Sequence, residues 1–369
     1  MATALTRRAV DYLIDRQTDQ HLWYDFPTLG GGSTEWVSSY IGAALATETD
    51  RTAHESATRA WRRLARRRIW SAGWGYNRRV PSDADSTAWA LCLADRVGTP
   101  TGLTCWRARR FLAKHQLSDG GVATYCDSGP VRAFTGLLGT SFEGWCGRSH
   151  PSVTAAAAGQ FGGHDCDDSL DALRRSQTSA GHWRGYWWPD DSYPTALAAA
   201  ALSRSGDPSD AVRVRRAAEW GAARIGSSGA ARSDRLATPS AFATGLCLTL
   251  VCLGLRCMRT PNTADRAAVM PFTAGFGDEN PNPDAARRLR AAGERAVAWL
   301  RHHQASDGSW RPSAAIRVPP PDLDSPDQYD RYERSRGRIG GVHFDRHRTF
   351  TTATNVAALR HAVEVEVGP

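Results

Sequence analysis

The stretch "AAGERAVAWLRHHQASDGSW", Ala291–Trp310, contains the unit from which the whole chain is built. Its first part places Ala296, Val297 and Leu300 on one face and charged residues on the other, the pattern of an amphipathic helix. Gln304 follows, and Asp307-Gly308 is a turn signal that ends the helix. Trp310 closes the unit.

The same order of Gln, a short gap, Gly and an aromatic recurs elsewhere. It is read in "QTDQHLW" at Gln17, "QLSDGGV" at Gln116 and "QTSAGHW" at Gln177. The first copy lacks the glycine, and the second ends in Val122. "SAGWGYN" at Ser71 lacks the Gln. After each break comes a more apolar helix. These begin "WVSSYIGAALA" from Trp36, "STAWALCLA" from Ser86, "SVTAAAAG" from Ser152, "PTALAAAAL" from Pro194, "AFATGLCLTLVCLGL" from Ala241 and "TTATNVAAL" from Thr351. A helix apolar all round must be surrounded, and an amphipathic one covers it. Six alternations predict an all-α, (α/α)6 toroid over residues 1–369, six inner helices inside six outer ones. No strand pattern competes. An α-solenoid is the plainer alternative, but its terminal repeats should be polar caps, and these are not.

The chain has 369 residues, 41% of them hydrophobic, and a net charge of +8 carried almost wholly by arginine, since Lys114 is the single lysine. No nucleic-acid-reading motif accompanies that charge. The eight cysteines form no CxxC pair, and Cys92, Cys247 and Cys252 lie in apolar helical runs. The N-terminus reads as an amphipathic helix rather than a signal peptide, and no apolar run reads as long enough to cross a membrane. A cytoplasmic location is expected.

"PSDADSTAWALCLA", Pro81–Ala94, opens an inner helix with two aspartates. Capping explains one of them. Taken with the Gln–Gly–Trp repeats, this stretch resembles the squalene-hopene cyclase and protein prenyltransferase β-subunit superfamily over about residues 7–365. Class II terpene cyclases carry Asp-x-Asp-Asp-Thr-Ala here, matched by Asp83, Ala84, Asp85, Ser86, Thr87 and Ala88. Ser86 stands where that pattern has its third acid. Oxidosqualene cyclases, with Asp-Cys-Thr-Ala, also carry a single acid before a small residue. The resemblance implies a terpene cyclase in which Asp85, assisted by Asp83, protonates an isoprenoid alkene, and it implies no cofactor for that step. Triterpene cyclases have two barrels with the cavity between them. The single barrel here implies a smaller isoprenoid, or a cavity completed by a second copy in a homodimer. Peripheral membrane contact is the other expected association.

Such chemistry needs an acid kept neutral by desolvation and by a neighbouring carboxyl. Its anion is then stabilised by a helix N-terminus. Ser86 and Thr87 can hydrogen-bond either form. The cation that forms needs aromatic faces, worth about 0.5–2 kcal/mol each. The first turns of the inner helices carry Trp36, Tyr40, Trp89, Tyr193, Phe242 and Phe350, and Trp145 precedes the third. All are candidate substrate contacts.

Other clusters carry weaker readings. Asp165, Asp167 and Asp168 in "HDCDDSLDALRRSQ" open an outer helix, so they belong at the far end of the barrel, where capping and the macrodipole account for them. His164, Asp165 and Cys166, with His343 or His347, are the candidate ligands of an alternative, zinc-dependent prenyltransferase reading. A non-catalytic lipid- or peptide-binding toroid is the other alternative. The arginines of "WRRLARRRIW", Arg62, Arg63, Arg66, Arg67 and Arg68, read as a solvated face or an anion contact. Asp190 and Asp191 either cap the fourth inner helix or line the cavity. The Pro-rich stretch at about 311–348 is expected to be a lid.

Overall fold

The computed structural model describes residues 2–66, 72–233, 238–258, 283–326 and 341–368. The outer ring consists of α1 (Ala2–Asp15), α3 (Arg51–Arg66), α5 (Leu103–Ala113), α8 (His164–Ser176), α10 (Pro208–Arg224) and α12 (Pro283–His302). The inner ring consists of α2 (Glu35–Leu45), α4 (Ala84–Arg96), α7 (Pro151–Ala158), α9 (Ser192–Leu202), α11 (Ala241–Met258) and α13 (Thr349–Glu364). Each inner helix packs on the next in this order, and α13 packs on α2, so the ring closes. The expected toroid is therefore found, and the solenoid is excluded. A short additional helix, α6 (Ser128–Thr135), and a π-helical turn (Glu143–Gly147) lie in the connection between α5 and α7.

Two antiparallel ribbons accompany the helices, which the sequence reading did not anticipate. β1 (Asp25–Thr28) pairs with β2 (Gly31–Ser33), and β3 (Ala315–Arg317) with β4 (Val342–Phe344). The Pro-rich stretch at about 311–348 thus contains a ribbon, and residues 327–340 of it lie outside the described residues. One further expectation is corrected. By length and hydropathy alone α11 could cross a membrane, yet it is mostly buried, packed by α9, α10, α12 and α13.

The repeat has a direct physical basis. The indoles of Trp23, Trp183 and Trp310 are fully buried, and each Nε1–H donates to the carbonyl ten residues back, on Leu13, Leu173 and Leu300, at 2.7–2.8 Å. Trp74 does the same to Leu64 at 3.3 Å. Each indole thereby satisfies a carbonyl left free at the end of its outer helix. The glutamine ties that end to the next outer helix. Gln304 Nε2 donates to Leu5 O (3.0 Å) and Gln177 Nε2 to Arg213 O (3.0 Å). Gln17 and Gln116 reach Ser56 O (3.0 Å) and Asp165 O (2.7 Å) in the same way. Gly308 has φ +87°, and a Cβ there would lie 2.1 Å from Arg8 O. His21 occupies that left-handed position, at φ +60°, in the copy without glycine. A further copy, without Gln or Trp, is found at Ile225–Ala231, where Gly229 (φ +86°) abuts Arg295 O.

Candidate active site

The segments that lead into the inner helices meet at one end of the ring and enclose a cavity of about 700 Å³. Asp83, Asp85, Ser86, Trp36 and Trp145 line it, as expected. Asp83 is the N-cap of α4. Its Oδ1 accepts from Ser86 N (2.7 Å) and its Oδ2 from Ser86 Oγ (2.8 Å). Asp85 sits in the first turn of α4, and its buried Oδ1 accepts no hydrogen bond. One aspartate therefore caps the helix, and the other lines the cavity with an oxygen that accepts no hydrogen bond.

Burial pushes the Asp83 carboxyl up to about 7; the Ser86 hydrogen bonds oppose this and the Glu35 charge adds to it. Burial also holds Asp85 well above the usual carboxylate range, and the Asp83 charge adds to that, while the Trp36 side chain pulls the other way. The result is an acid that keeps its proton in an apolar hollow.

The remaining expected contacts are divided. Thr87 turns away from the cavity: Trp74 N donates to its Oγ1 (3.0 Å), which fixes the turn before α4. Tyr40, Trp89, Tyr193, Phe242 and Phe350 stand behind the cavity wall instead of on it. They form a continuous aromatic layer, with Tyr40 stacked on Phe350 (4.0 Å) and edge-on to Trp89 (4.6 Å). The layer meets the cavity through Trp36, 4.9 Å from Phe350, and through Trp188, 4.0 Å from Tyr193 and 5.3 Å from Phe242. Tyr40 and Trp89 lie one turn into their helices, below the open space, whereas Tyr193, Phe242 and Phe350 sit in first turns and are covered by Trp188 and Trp36.

Several lining residues escaped the sequence reading: Tyr76, Tyr125, Phe134, Trp187, Trp188 and Arg317. Trp187 and Trp188 precede α9 just as Trp145 precedes α7, so the same positional rule would have found them. Tyr125 is separated from α7 by the excursion through α6, which hid it. Asp190 and Asp191 do not line the cavity. Asp190 pairs with Arg224 (2.8 Å) and accepts from Ser192 N (2.8 Å); Asp191 accepts from Gly185 N (2.8 Å) and lies 3.3 Å from His182 Nε2.

Part of the Pro-rich stretch forms a strap. Ile316, Arg317, Val318, Pro320, Pro321 and Asp322 line the cavity. Their backbone is held by Gly144 N to Pro321 O (2.9 Å), Trp145 Nε1 to Pro319 O (3.1 Å) and Tyr186 Oη to Leu323 O (3.0 Å). The Arg317 guanidinium donates to Tyr186 O (2.7 Å) and to Gly185 O. Beneath the strap, His150 bridges Thr124 Oγ1 (2.8 Å) and Gly144 O (2.9 Å), and burial lowers its pKa to about 4.

The other clusters stay apart. Asp165, Asp167 and Asp168 do open the outer helix α8. The capping part of that reading is corrected, because Gly163 is the N-cap and no side chain caps it. Asp165 and Asp167 complement the helix dipole from the first turn. The zinc candidates do not converge: His164, Asp165 and Cys166 start α8, whereas His343 lines the cavity on β4. Among the described residues no group of three His, Cys, Asp or Glu side chains is gathered as metal ligands. Arg62 and Arg66 are exposed on α3 and Arg63 reaches Gln20 Oε1 (3.4 Å); Arg67 and Arg68 lie outside the described residues.

No protein-family model matches the chain, and no curated protein matches it either. Solved structures do. The type II terpene cyclase MstE from Scytonema is 34% identical, with a TM-score of 0.85 over 99% of both chains. A variant of it is solved with geranylgeranyl dihydroxybenzoate, described as its substrate. A protein from Actinoplanes is 32% identical, with a TM-score of 0.84 over 98% of this chain and 100% of that one. The ent-copalyl diphosphate synthase from Streptomyces platensis shares the fold at 18% identity and a TM-score of 0.56, covering 89% of this chain and 50% of that one. The likeness to MstE extends over the whole chain and replaces the zinc-transferase and non-catalytic readings: this chain belongs to the type II terpene cyclases, enzymes that begin ring closure by protonating an isoprenoid alkene.

Proposed function

We propose that Asp85 is the acid that protonates the substrate alkene, with Asp83 holding it neutral and Trp36, Trp145, Trp187 and Trp188 facing the cation that results. One observation carries this reading: a carboxyl with an unpartnered oxygen, raised well above its ordinary pKa, lines an aromatic cavity of about 700 Å³. The substrate is a single prenyl chain on a polar head group. The deep wall is aromatic, whereas the outer wall carries Thr28, Thr135, Thr140, Asp322 and His343. A prenylated aromatic acid of the kind named for MstE suits that division.

The test is incubation with geranylgeranyl dihydroxybenzoate, prenyl diphosphates and squalene, with products read by mass spectrometry. Cyclic isomers of one prenylated compound, absent with a folded Asp85→Asn variant, are expected. Full turnover by Asp85→Asn would remove Asp85 from the role.

Peripheral membrane contact is part of the same reading. Leu29 (63% exposed) and Phe134 (41%) line the cavity, and the exposed Leu138 (83%) follows the lining residue Leu137. Apolar tips around the entrance of a lipid-binding cavity suit a bilayer surface. A second copy of the chain, as a homodimer, is the competing occupant of that rim.

A further inference from the structure

We propose that His343 is the base that removes the final proton and so ends the cyclisation. This rests on the reading of Asp85 as the initiating acid. Protonation of an alkene creates a charge that moves along the prenyl chain as rings close. The group that ends the reaction must lie away from the group that began it, and must be a neutral base with a free lone pair.

His343 meets these requirements by position and by tautomer. It lies on β4, opposite Ile316 of β3, on the ribbon that walls the mouth, whereas Asp85 lies at the start of α4. Its Nδ1 is 2.9 Å from Pro27 O. A carbonyl oxygen can only accept, so Nδ1 carries the hydrogen and Nε2 keeps its lone pair. Nε2 makes no hydrogen bond among the described residues. Gly341 leaves its edge open, since a Cβ there would come within 3.0 Å of Nε2. Burial pulls the imidazole pKa below its ordinary value, and the nearby Arg346 acts in the same direction.

The competing groups on the cavity wall are poorer bases. Both oxygens of Asp83 are engaged by Ser86. Asp322 is exposed, so water solvates its charge. The phenols of Tyr76 and Tyr125 are pushed upward by burial and stay protonated.

In the step itself, the Nε2 lone pair takes a proton from a carbon next to the final cationic centre. The electrons of that C–H bond become the new C=C bond. The imidazolium then releases its proton to water, and the Asp85 carboxylate regains one from water. The sum is an isomerisation that needs no oxidant or other reactant.

Two measurements test this. The first is ¹⁵N NMR of histidine-labelled enzyme without substrate, with the His343 signals assigned by their loss in His343→Gln. A neutral imidazole with hydrogen on Nδ1 at neutral pH is expected; an imidazolium, or hydrogen on Nε2, overturns the proposal. The second is product analysis of His343→Gln and His343→Ala, using whichever prenylated probe the wild type cyclises. As a share of the product formed, the main alkene is expected to fall about tenfold in favour of water-captured alcohols or isomeric alkenes. An unchanged product profile overturns it. Failure of the Asp85 reading would show separately, as a fully active Asp85→Asn enzyme with His343 intact.

Discussion

Asp83 and Asp85 share the mouth of α4 but differ in their partners: both Asp83 oxygens are held by Ser86, and Asp85 Oδ1 is held by nothing. The difference predicts unequal effects of the same substitution. Asp85→Asn removes the transferable proton and should lower turnover by roughly 10²–10⁴-fold, the range for a lost general acid. Asp83→Asn keeps an oxygen for the Ser86 N–H, loses the acceptor of the Ser86 hydroxyl and leaves the Asp85 carboxyl in place, so a smaller loss of roughly tenfold is expected. Single-turnover assays on both variants check the order.

The same pair makes stability fall as pH rises. Asp83 has a folded-state pKa of about 7, above the unfolded carboxylate value, so the native state holds a proton that the unfolded chain has released. Its contribution is complete below about pH 4 and is lost as pH rises through about 7. His115 and His150, lowered to about 4, have the opposite slope between about 4 and 6.5 and partly mask it. The difference between wild type and Asp83→Asn isolates the carboxyl. The variant's melting temperature should gain on the wild type from pH 5 to pH 8, and parallel curves would contradict the assignment.

Trp188 predicts where aromatic character matters. It joins the cavity to the layer formed by Tyr193 and Phe242. Trp188→Phe keeps a π-face and should hold turnover within a few fold. Trp188→Ala loses a cation contact worth about 0.5–2 kcal/mol, or roughly 2–30-fold in rate. It also frees space at the floor, so altered ring products are expected beside the slower rate.

The toroid was legible because each repeat states its own turn. Trp310 and Gln304 are visible as letters, and their contacts to Leu300 and Leu5 follow from the repeat geometry. Gly229 was not legible, because its copy keeps the close backbone approach and drops both the Gln and the Trp. Asp83 and Asp85 were legible through their position at a helix mouth. The cavity wall was less so. Tyr125 and the Ile316–Asp322 strap come from irregular connections, whose path no periodicity encodes.

Those repeat contacts predict a stability change that spares chemistry. Gln304→Ala loses hydrogen bonds to Leu5 O and Gly308 O and should cost about 1–3 kcal/mol. Gly308→Ala combines a left-handed backbone with a Cβ 2.1 Å from Arg8 O and should cost more. Thermal denaturation should rank the two, with product identity unchanged below the melting range.

The apolar mouth makes the last prediction. Leu29 and Leu138 gain nothing from the fold at their present exposure, and burial of each in lipid would contribute about 1.5–3 kcal/mol. The wild type should therefore sediment with vesicles containing phosphatidylglycerol, and Leu29→Asp with Leu138→Asp should abolish it. Turnover of detergent-dispersed substrate should persist in Leu138→Asp alone, because Leu138 does not line the cavity that Leu29 shares with Asp85. Wild-type protein that stays in the supernatant and runs as a dimer would assign the rim to a second copy instead.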